Sequence, residues 1–308
     1  VRCQVALSAF YLANNKFNLL FIKDFMSSNP NPASVRISAA LRSRYDIDIP
    51  TTQKQPGLEA LATIAEHRSI RRFKPAPVAP ELLRLLFACA LSAPTKSDLQ
   101  QADLIHVMDA GKRQRIAAAI PDMAWVLDAP VFLVFCGNNR RIRKIGEWRG
   151  KPFVNEHLDH FMNAAVDAGI AMMNFIRAAE AAGLGTCPIS AIRNAAETTS
   201  RELELPEGVF PIAGLCVGYP ATPGHISPRL PLDVTVHTDR YDETGLREQI
   251  ESYDRRRHAN HPYGKQRRTA QFGSADFYGW SEDKARQYAE PERADFGAYI
   301  RRQGFSLK

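Results

Sequence analysis

The sequence predicts a mixed three-layer α/β fold. Segments with helical spacing of apolar residues alternate with short apolar runs of strand length. Helices dominate and the strands are few, which argues against a barrel. No hydrophobic boundary separates two cores, so one domain with terminal extensions is expected.

Residues 1–25 open with an apolar run, Val5 to Ala13, broken by Asn14-Asn15-Lys16. It is shorter than the ~20 apolar residues a spanning helix needs. Arg2 ahead of it suits a signal peptide, but no small-residue cleavage site follows. Met26 begins the polar stretch Ser27 to Pro32, and translation is expected to start there. Residues 1–56 read as a poorly ordered extension holding one short helix near Val35 to Leu41. Leu58, Leu61, Ile64 and Ala65 have helical spacing and lead into His67. Pro80 suits a first helical turn, and Leu82, Leu83, Leu86 and Ala90 give that helix a buried face until Ala93-Pro94. Leu104 to Met108 reads as a strand and Arg113 to Ile120 as a helix. Val131 to Cys136 is wholly apolar, a strand buried on both faces. Residues 137–151 are basic and read as loop. Leu158, Phe161, Ala165, Ala168, Met172, Ile176 and Ala179 mark the strongest helix, ended by Gly183. Val209 to Val217 is another buried strand. Leu246 to Arg257 looks helical, 258–280 reads as a surface excursion, and Asp283 to Tyr288 and Arg293 to Arg302 close the chain as helices.

The 308 residues, 45% of them apolar, are enough for a sizeable core. A formal charge of +7 favours anionic ligands and weak nucleic-acid attraction, although by itself it fits a solvated, mildly basic surface better. Five widely spaced cysteines form neither a disulfide framework nor a zinc signature, which points to a reducing cytoplasm.

Several constellations carry chemistry. In His67-Arg68-Ser69-Ile70-Arg71-Arg72-Phe73, alternate residues of an extended segment share a face, so His67, Ser69 and Arg71 point together. Arginine forks and a hydroxyl suit a phosphate; a solvated basic turn fits the composition equally. Thr95-Lys96-Ser97-Asp98-Leu99-Gln100 offers donors to a heterocycle edge, or is a polar connection. Pro228 and Pro231 stiffen the backbone around Arg229, either as an anion holder or as a rigid surface loop. Arg255, Arg256 and Arg257 with Lys265, Arg267 and Arg268 attract phosphate or RNA, or are simply solvated. His258 and His261 stand three apart without a nearby carboxylate or cysteine, so no metal is assigned. Gly183-Leu184-Gly185 closes a helix instead of opening one, so it is a cap and not a dinucleotide loop.

Four of these blocks, in order, resemble the nitroreductase family, and within it the NADPH-preferring oxygen-insensitive nitroreductases and flavin reductases. They are His67 to Phe73, Ala93 to Gln100, Ala182 to Asn194, and Gly214 to Pro220 leading into Ser227-Pro228-Arg229-Leu230-Pro231. The resemblance covers roughly residues 57 to 305. It implies an α+β fold: a three-layer α/β/α sandwich with a central mixed, mainly antiparallel sheet. It implies a homodimer with an FMN-binding domain over 57–308, including a C-terminal extension at 222–308. It implies FMN as cofactor and NADPH as co-substrate. On this likeness His67, Arg68, Ser69 and Arg71 grip the phosphate and pyrimidine side of the flavin. Thr95, Lys96 and Ser97 lie along ring and ribityl chain. Pro188, Ile189, Ser190 and Ala191 pass backbone over the ring. Ser227 and Arg229 close on the phosphate. Arg255, Arg256 or Arg257 recognises the extra phosphate of NADPH. The family scheme is ping-pong, with nitroaromatics, quinones or flavins as acceptors. No protein residue is expected to be catalytic, because the flavin carries the redox step. A cation such as Arg71 or Lys96 would stabilise charge on the reduced ring, by up to roughly 3 to 4 kcal/mol. Residues 140–160 and 258–280 are expected to roof the pocket.

The chain departs from the family pattern at Ser227, where relatives often carry lysine, and at Ser190-Ala191, where close relatives carry two glycines. Flavin-consuming or dehalogenating members of the same superfamily, and a non-catalytic flavin- or RNA-binding module, stay open as alternatives.

Overall fold

The computed structural model describes residues 31–51, 55–120 and 122–308. The chain divides into two units, Val1–Glu66 and His67–Lys308. The expected start at Met26 and the apolar run before it lie outside the described residues.

The first unit holds α1, Pro32–Tyr45, and α2, Leu58–Ala65. Asn31 caps α1 by accepting the Ala33 amide at 2.9 Å, and Pro32 occupies the first turn, so the helix outruns the apolar stretch expected at Val35 to Leu41. Ala33, Ile37 and Ala40 pack on Leu58 and Ala62. Arg36 joins the two helices through Glu59 at 2.8 Å and Glu66 at 2.6 Å.

The second unit is built on an antiparallel sheet. Its elements begin with α3, Pro80–Leu91; β1, Ala102–His106; α4, Ala110–Ala118; and β2, Val131–Asn138. Next come α5, Arg140–Trp148; α6, Leu158–Ala181; β3, Gly185–Ile189; α7, Ala196–Glu202; and β4, Val209–Gly218. The remainder is helical: α8, Leu232–Thr235; α9, Leu246–Asn260; α10, Thr269–Phe272; α11, Trp280–Tyr288; and α12, Phe296–Arg302. The strand order is β1-β2-β4-β3. Among the described residues, the one parallel feature is a bridge between Ser69 and Thr186, outside the main ladder.

Alternation along β2 makes the three layers. Val131, Leu133 and Phe135 face Leu83, Leu86 and Ala90 of α3 and Ala171, Phe175 and Ala179 of α6. Phe132, Val134 and Cys136 face the other way, onto Ile116 of α4, Val126, Ile189 and Ile192. All eight β2 residues are buried. Phe132, Phe135 and Phe175 are fully buried, and each such side chain contributes roughly 2 to 3 kcal/mol.

Two expectations need correction. Residues 137–151 are not loop, because Arg140 to Trp148 forms α5. Arginine, lysine and glutamate are good helix formers, and Lys144 pairs with Glu147 one turn on at 2.8 Å. No α5 residue is buried, so its short apolar stripe of Ile142, Ile145 and Trp148 is not packed into the core. A fourth strand, β3, also exists where no strand was expected; Pro188 sits inside it. Gly183 closes α6 at a φ of 77°, as its position suggests.

The C-terminal helices are tied down by buried polar groups. Asp254 accepts the Ser281 amide at 2.9 Å. Asp283 accepts from the Tyr278 hydroxyl at 3.0 Å, Arg267 Nε at 3.0 Å and Lys284 Nζ at 2.7 Å. The 258–280 excursion is therefore anchored at Tyr278, which is buried. Tyr299 of α12 shares a 2.6 Å hydrogen bond with Ser200 of α7.

Candidate functional site

The segment from His67 to Lys74 is stitched between two parts of the sheet. Its first half runs along the free edge of β3, where the Ile70 amide donates to Thr186 O at 2.8 Å. Its second half meets the chain after β4. The Lys74 amide donates to Tyr219 O at 2.8 Å, and the Ala221 amide donates to Arg72 O at 2.9 Å. Ile70 is buried, as expected. It fills the space above Gly185, where a Cβ would stand 2.6 Å from Ile70 Cγ1. Glycine at 185 is what lets the cationic segment lie this close to β3.

Polar contacts orient the cluster. His67 Nδ1 meets Glu180 Oε1 at 2.5 Å, and Arg177 Nη1 holds the other oxygen at 2.8 Å. Arg68 Nη1 donates to Pro223 O at 3.4 Å. Arg71 reaches Cys187 electrostatically: burial pushes that thiol up, and the nearby guanidinium pulls it back. Arg71 is therefore near enough to β3 for its charge to act on the Cys187 thiol. Beyond Cys187, Pro188 and Ser190 are exposed, while Ile189 is buried. Thr186 Oγ1 is buried and has no hydrogen-bond partner.

The segment Ser227 to Pro231 is held from behind by α9. Tyr253 Oη donates to Pro228 O at 3.4 Å, and Arg256 Nη2 donates to Arg229 O at 2.7 Å. Arg229 folds over its own loop and donates to Pro228 O at 3.2 Å. Of the three consecutive arginines, Arg256 therefore backs this loop. Arg257 lies 4.1 Å from the Tyr263 ring centroid, and Arg255 is exposed. Consecutive helical residues point about 100° apart, so the three do not form one cluster.

The block at Thr95, Lys96 and Ser97 is anchored elsewhere. Asp167 on α6 accepts the Lys96 amide at 3.0 Å and the Gln101 amide at 3.2 Å. Ser97, Asp98 and Gln100 take left-handed φ of 50°, 57° and 52°. Asp167 and Glu180 are thirteen residues apart on one helix, or roughly 20 Å at 1.5 Å per residue. Residue patterns did not single out either carboxylate. Asp167 leaves one trace, a buried acid between Ala164 and Ala168 on an apolar face. Glu180 leaves none.

A separate groove of about 690 Å³ lies between α3, β1 and α5, lined by Phe87, Leu91, Asp103, Arg141 and Trp148 among others. None of the expected flavin residues lines it. Arg140, Arg141, Lys144 and Trp148, from the stretch expected as a roof, line this groove. His258 and His261 diverge: His258 faces Phe277, and His261 faces His225. No described helix is long and apolar enough to cross a membrane.

Comparison with known proteins gives a consistent result. Residues 64–219 match the model of the Nitroreductase family, and 227–308 match that of the Nitroreductase family C-terminal domain. The NADPH-flavin oxidoreductase of Vibrio harveyi is 33% identical over 249 residues, covering 80% of this chain and 98% of that protein. An FMN reductase (NAD(P)H) of Bacillus subtilis is 36% identical over 199 residues, covering 64% of this chain and 80% of the relative. The structure of an NADPH:FMN oxidoreductase from Vibrio harveyi complexed with NAD+ superposes with a TM-score of 0.72 at 30% identity, over 81% of this chain and 99% of that one.

Proposed function

We infer function from one premise: this chain belongs to the nitroreductase family. It is an NAD(P)H-dependent flavin oxidoreductase with FMN as cofactor and NADPH as co-substrate. The donor set fits that cofactor. Arg68, Arg71 and Arg229 supply charge for a phosphate, and Gly185 lets the 67–71 backbone lie close on β3. The chemistry FMN supplies is transfer of a hydride from NADPH to a second substrate in two separated half-reactions, a ping-pong scheme. Nitroaromatics, quinones and flavins are the acceptor classes.

The protein's part is binding and electrostatics. His67, Arg68, Ser69, Arg71, Ser227 and Arg229 hold the cofactor's anionic groups. Pro188, Ile189, Ser190 and Ala191 present backbone at the end of β3. Arg71, beside Cys187, sets positive charge at that end and stabilises negative charge developing there. One of Arg255, Arg256 and Arg257 takes the extra phosphate of NADPH. Thr95, Lys96 and Ser97 complete the site from a second subunit, because their anchor on α6 lies roughly 20 Å from that of His67.

The α6 surface supports a homodimer. Leu158, Met162, Val166, Ile170 and Met173 recur every three or four residues and are each 37–55% exposed. An apolar stripe this long on a 24-residue helix marks an interface, and a second copy offers the matching stripe. Three buried free thiols, Cys136, Cys187 and Cys216, suit the reducing cytoplasm.

The observation that carries the reading is the stitching of residues 67–74 onto both β3 and the chain after β4. Anaerobic NADPH titration of the purified protein tests it. Bleaching of a bound flavin spectrum, and its return with quinone or nitroaromatic, is expected. A colourless protein that FMN does not colour, and that oxidises no NADPH, would overturn it.

A further inference from the structure

Glu180 stands at the wrong end of a helix. It is the next-to-last residue of α6, where the carbonyl end of the helix dipole disfavours a carboxylate. Its side chain is only 12% exposed, so water does little to offset that placement. Two contacts hold it. Arg177, one turn earlier on α6, reaches Oε2 at 2.8 Å, and His67 Nδ1 meets Oε1 at 2.5 Å. The carboxylate thus ties the end of α6 to the first residue of the cationic segment, 113 positions away in sequence.

The tie constrains the imidazole more than the backbone. The backbone has its own anchors on β3, the Ser69–Thr186 bridge and the Ile70 amide on Thr186 O at 2.8 Å. The His67 ring has Glu180. A carboxylate accepts and never donates, so Nδ1 carries the proton in this contact. The second ring nitrogen, Nε2, then points away from Glu180. Alternation along the extended segment sets His67 on the side of Ser69 and Arg71, opposite the buried Ile70. A phosphate dianion is also an acceptor without a proton to give. An imidazole between carboxylate and phosphate therefore donates from both nitrogens, as an imidazolium. A ring turned the other way would set a lone pair against the phosphate. With serine at 227, the charge of the grip rests on His67, Arg68, Arg71 and Arg229.

We propose that Glu180 is a positioning residue of the cofactor grip. It fixes the His67 ring so that Nε2–H is presented to the FMN phosphate, and Arg177 holds the carboxylate in place for that role. This rests on FMN being the cofactor and on His67 belonging to its grip. It adds two residues that act on the phosphate only through His67.

Flavin-fluorescence titration of the full-length protein with FMN, and with riboflavin, which lacks the phosphate, tests the proposal. Glu180→Ala should weaken FMN binding about tenfold, the scale of one hydrogen bond to a charged group, and leave riboflavin within about twofold. In a His67→Gln background the same substitution should change neither ligand, because Glu180 acts through the ring. Nitrogen NMR of the His67 ring in the FMN-loaded native protein needs no variant. Both ring nitrogens should be protonated near neutral pH. A bare ring nitrogen in that spectrum overturns the proposal. So does equal weakening of FMN and riboflavin, which marks a purely structural tie, or a Glu180 effect that persists in full without His67. A native protein that binds neither flavin defeats the cofactor assignment. One that binds FMN tightly and is indifferent to Glu180→Ala defeats only the positioning role.

Discussion

Replacing Asp167 with alanine cuts the tether between α6 and the 95–101 loop. The side chain is 2% exposed and accepts two amides, Lys96 at 3.0 Å and Gln101 at 3.2 Å. Gln101 is 1% exposed, so its orphaned N–H finds no water and costs about 1 to 3 kcal/mol. Lys96 sits at the exposed rim, where water replaces most of the loss, leaving about 0.5 to 1 kcal/mol. A total of about 1.5 to 4 kcal/mol follows. Ser97, Asp98 and Gln100 hold left-handed φ that the tether helps impose, so the released loop relaxes away from its present form. Urea unfolding should lose about 1.5 to 4 kcal/mol, and flavin affinity should fall by about tenfold or more. Asp167→Asn keeps one acceptor and should recover about half. Unchanged stability would refute the hydrogen-bond accounting. Lower stability with undiminished flavin affinity would remove the 95–97 loop from the cofactor site.

Three further outcomes are expected. Ile170→Glu, on the exposed α6 stripe, should give monomers by light scattering and lower flavin occupancy; a dimer with full occupancy would place the interface elsewhere. Arg71→Ala should weaken FMN retention and slow anaerobic reduction by about a hundredfold, the lower end for losing one preorganised donor, and an unchanged stopped-flow rate would exclude that role. His160 is buried between Phe153 and Phe305, which lowers its pKa to about 4. The folded state therefore binds fewer protons than the unfolded one below pH 6.5. This contribution is intact above that value and is lost as pH falls towards 4, at a cost of about 2 to 3 kcal/mol. Urea midpoints across that window should fall less steeply in His160→Phe than in the native protein.

Much of the sheet and its helices could be read from the sequence, because burial leaves a periodic trace. Val131 to Cys136 and Val209 to Val217 are apolar throughout and became β2 and β4. The α6 spacing and Gly183 marked both ends of the longest helix. Segment α5 left only a short trace, Ile142, Ile145 and Trp148, set among cations and not buried. Strand β3 was hidden by Pro188 and by its brevity. The cationic segment at His67 to Arg71 stood out by charge density alone. Its supports, Glu180 and the Pro223 carbonyl, did not, and neither did Asp167 behind the 95–101 loop: these are ordinary residues made important by proximity, which one chain's spacing cannot show.

The wide separation of those supports bears on how the protein is made. His67 waits for Glu180, 113 residues later, and Arg68 for Pro223, 155 residues later. At roughly 5 to 20 residues per second, the ribosome delivers those supports many seconds after the arginines emerge. Loading of the cofactor is therefore a step of maturation, and a nascent chain stalled before β4 should stay colourless.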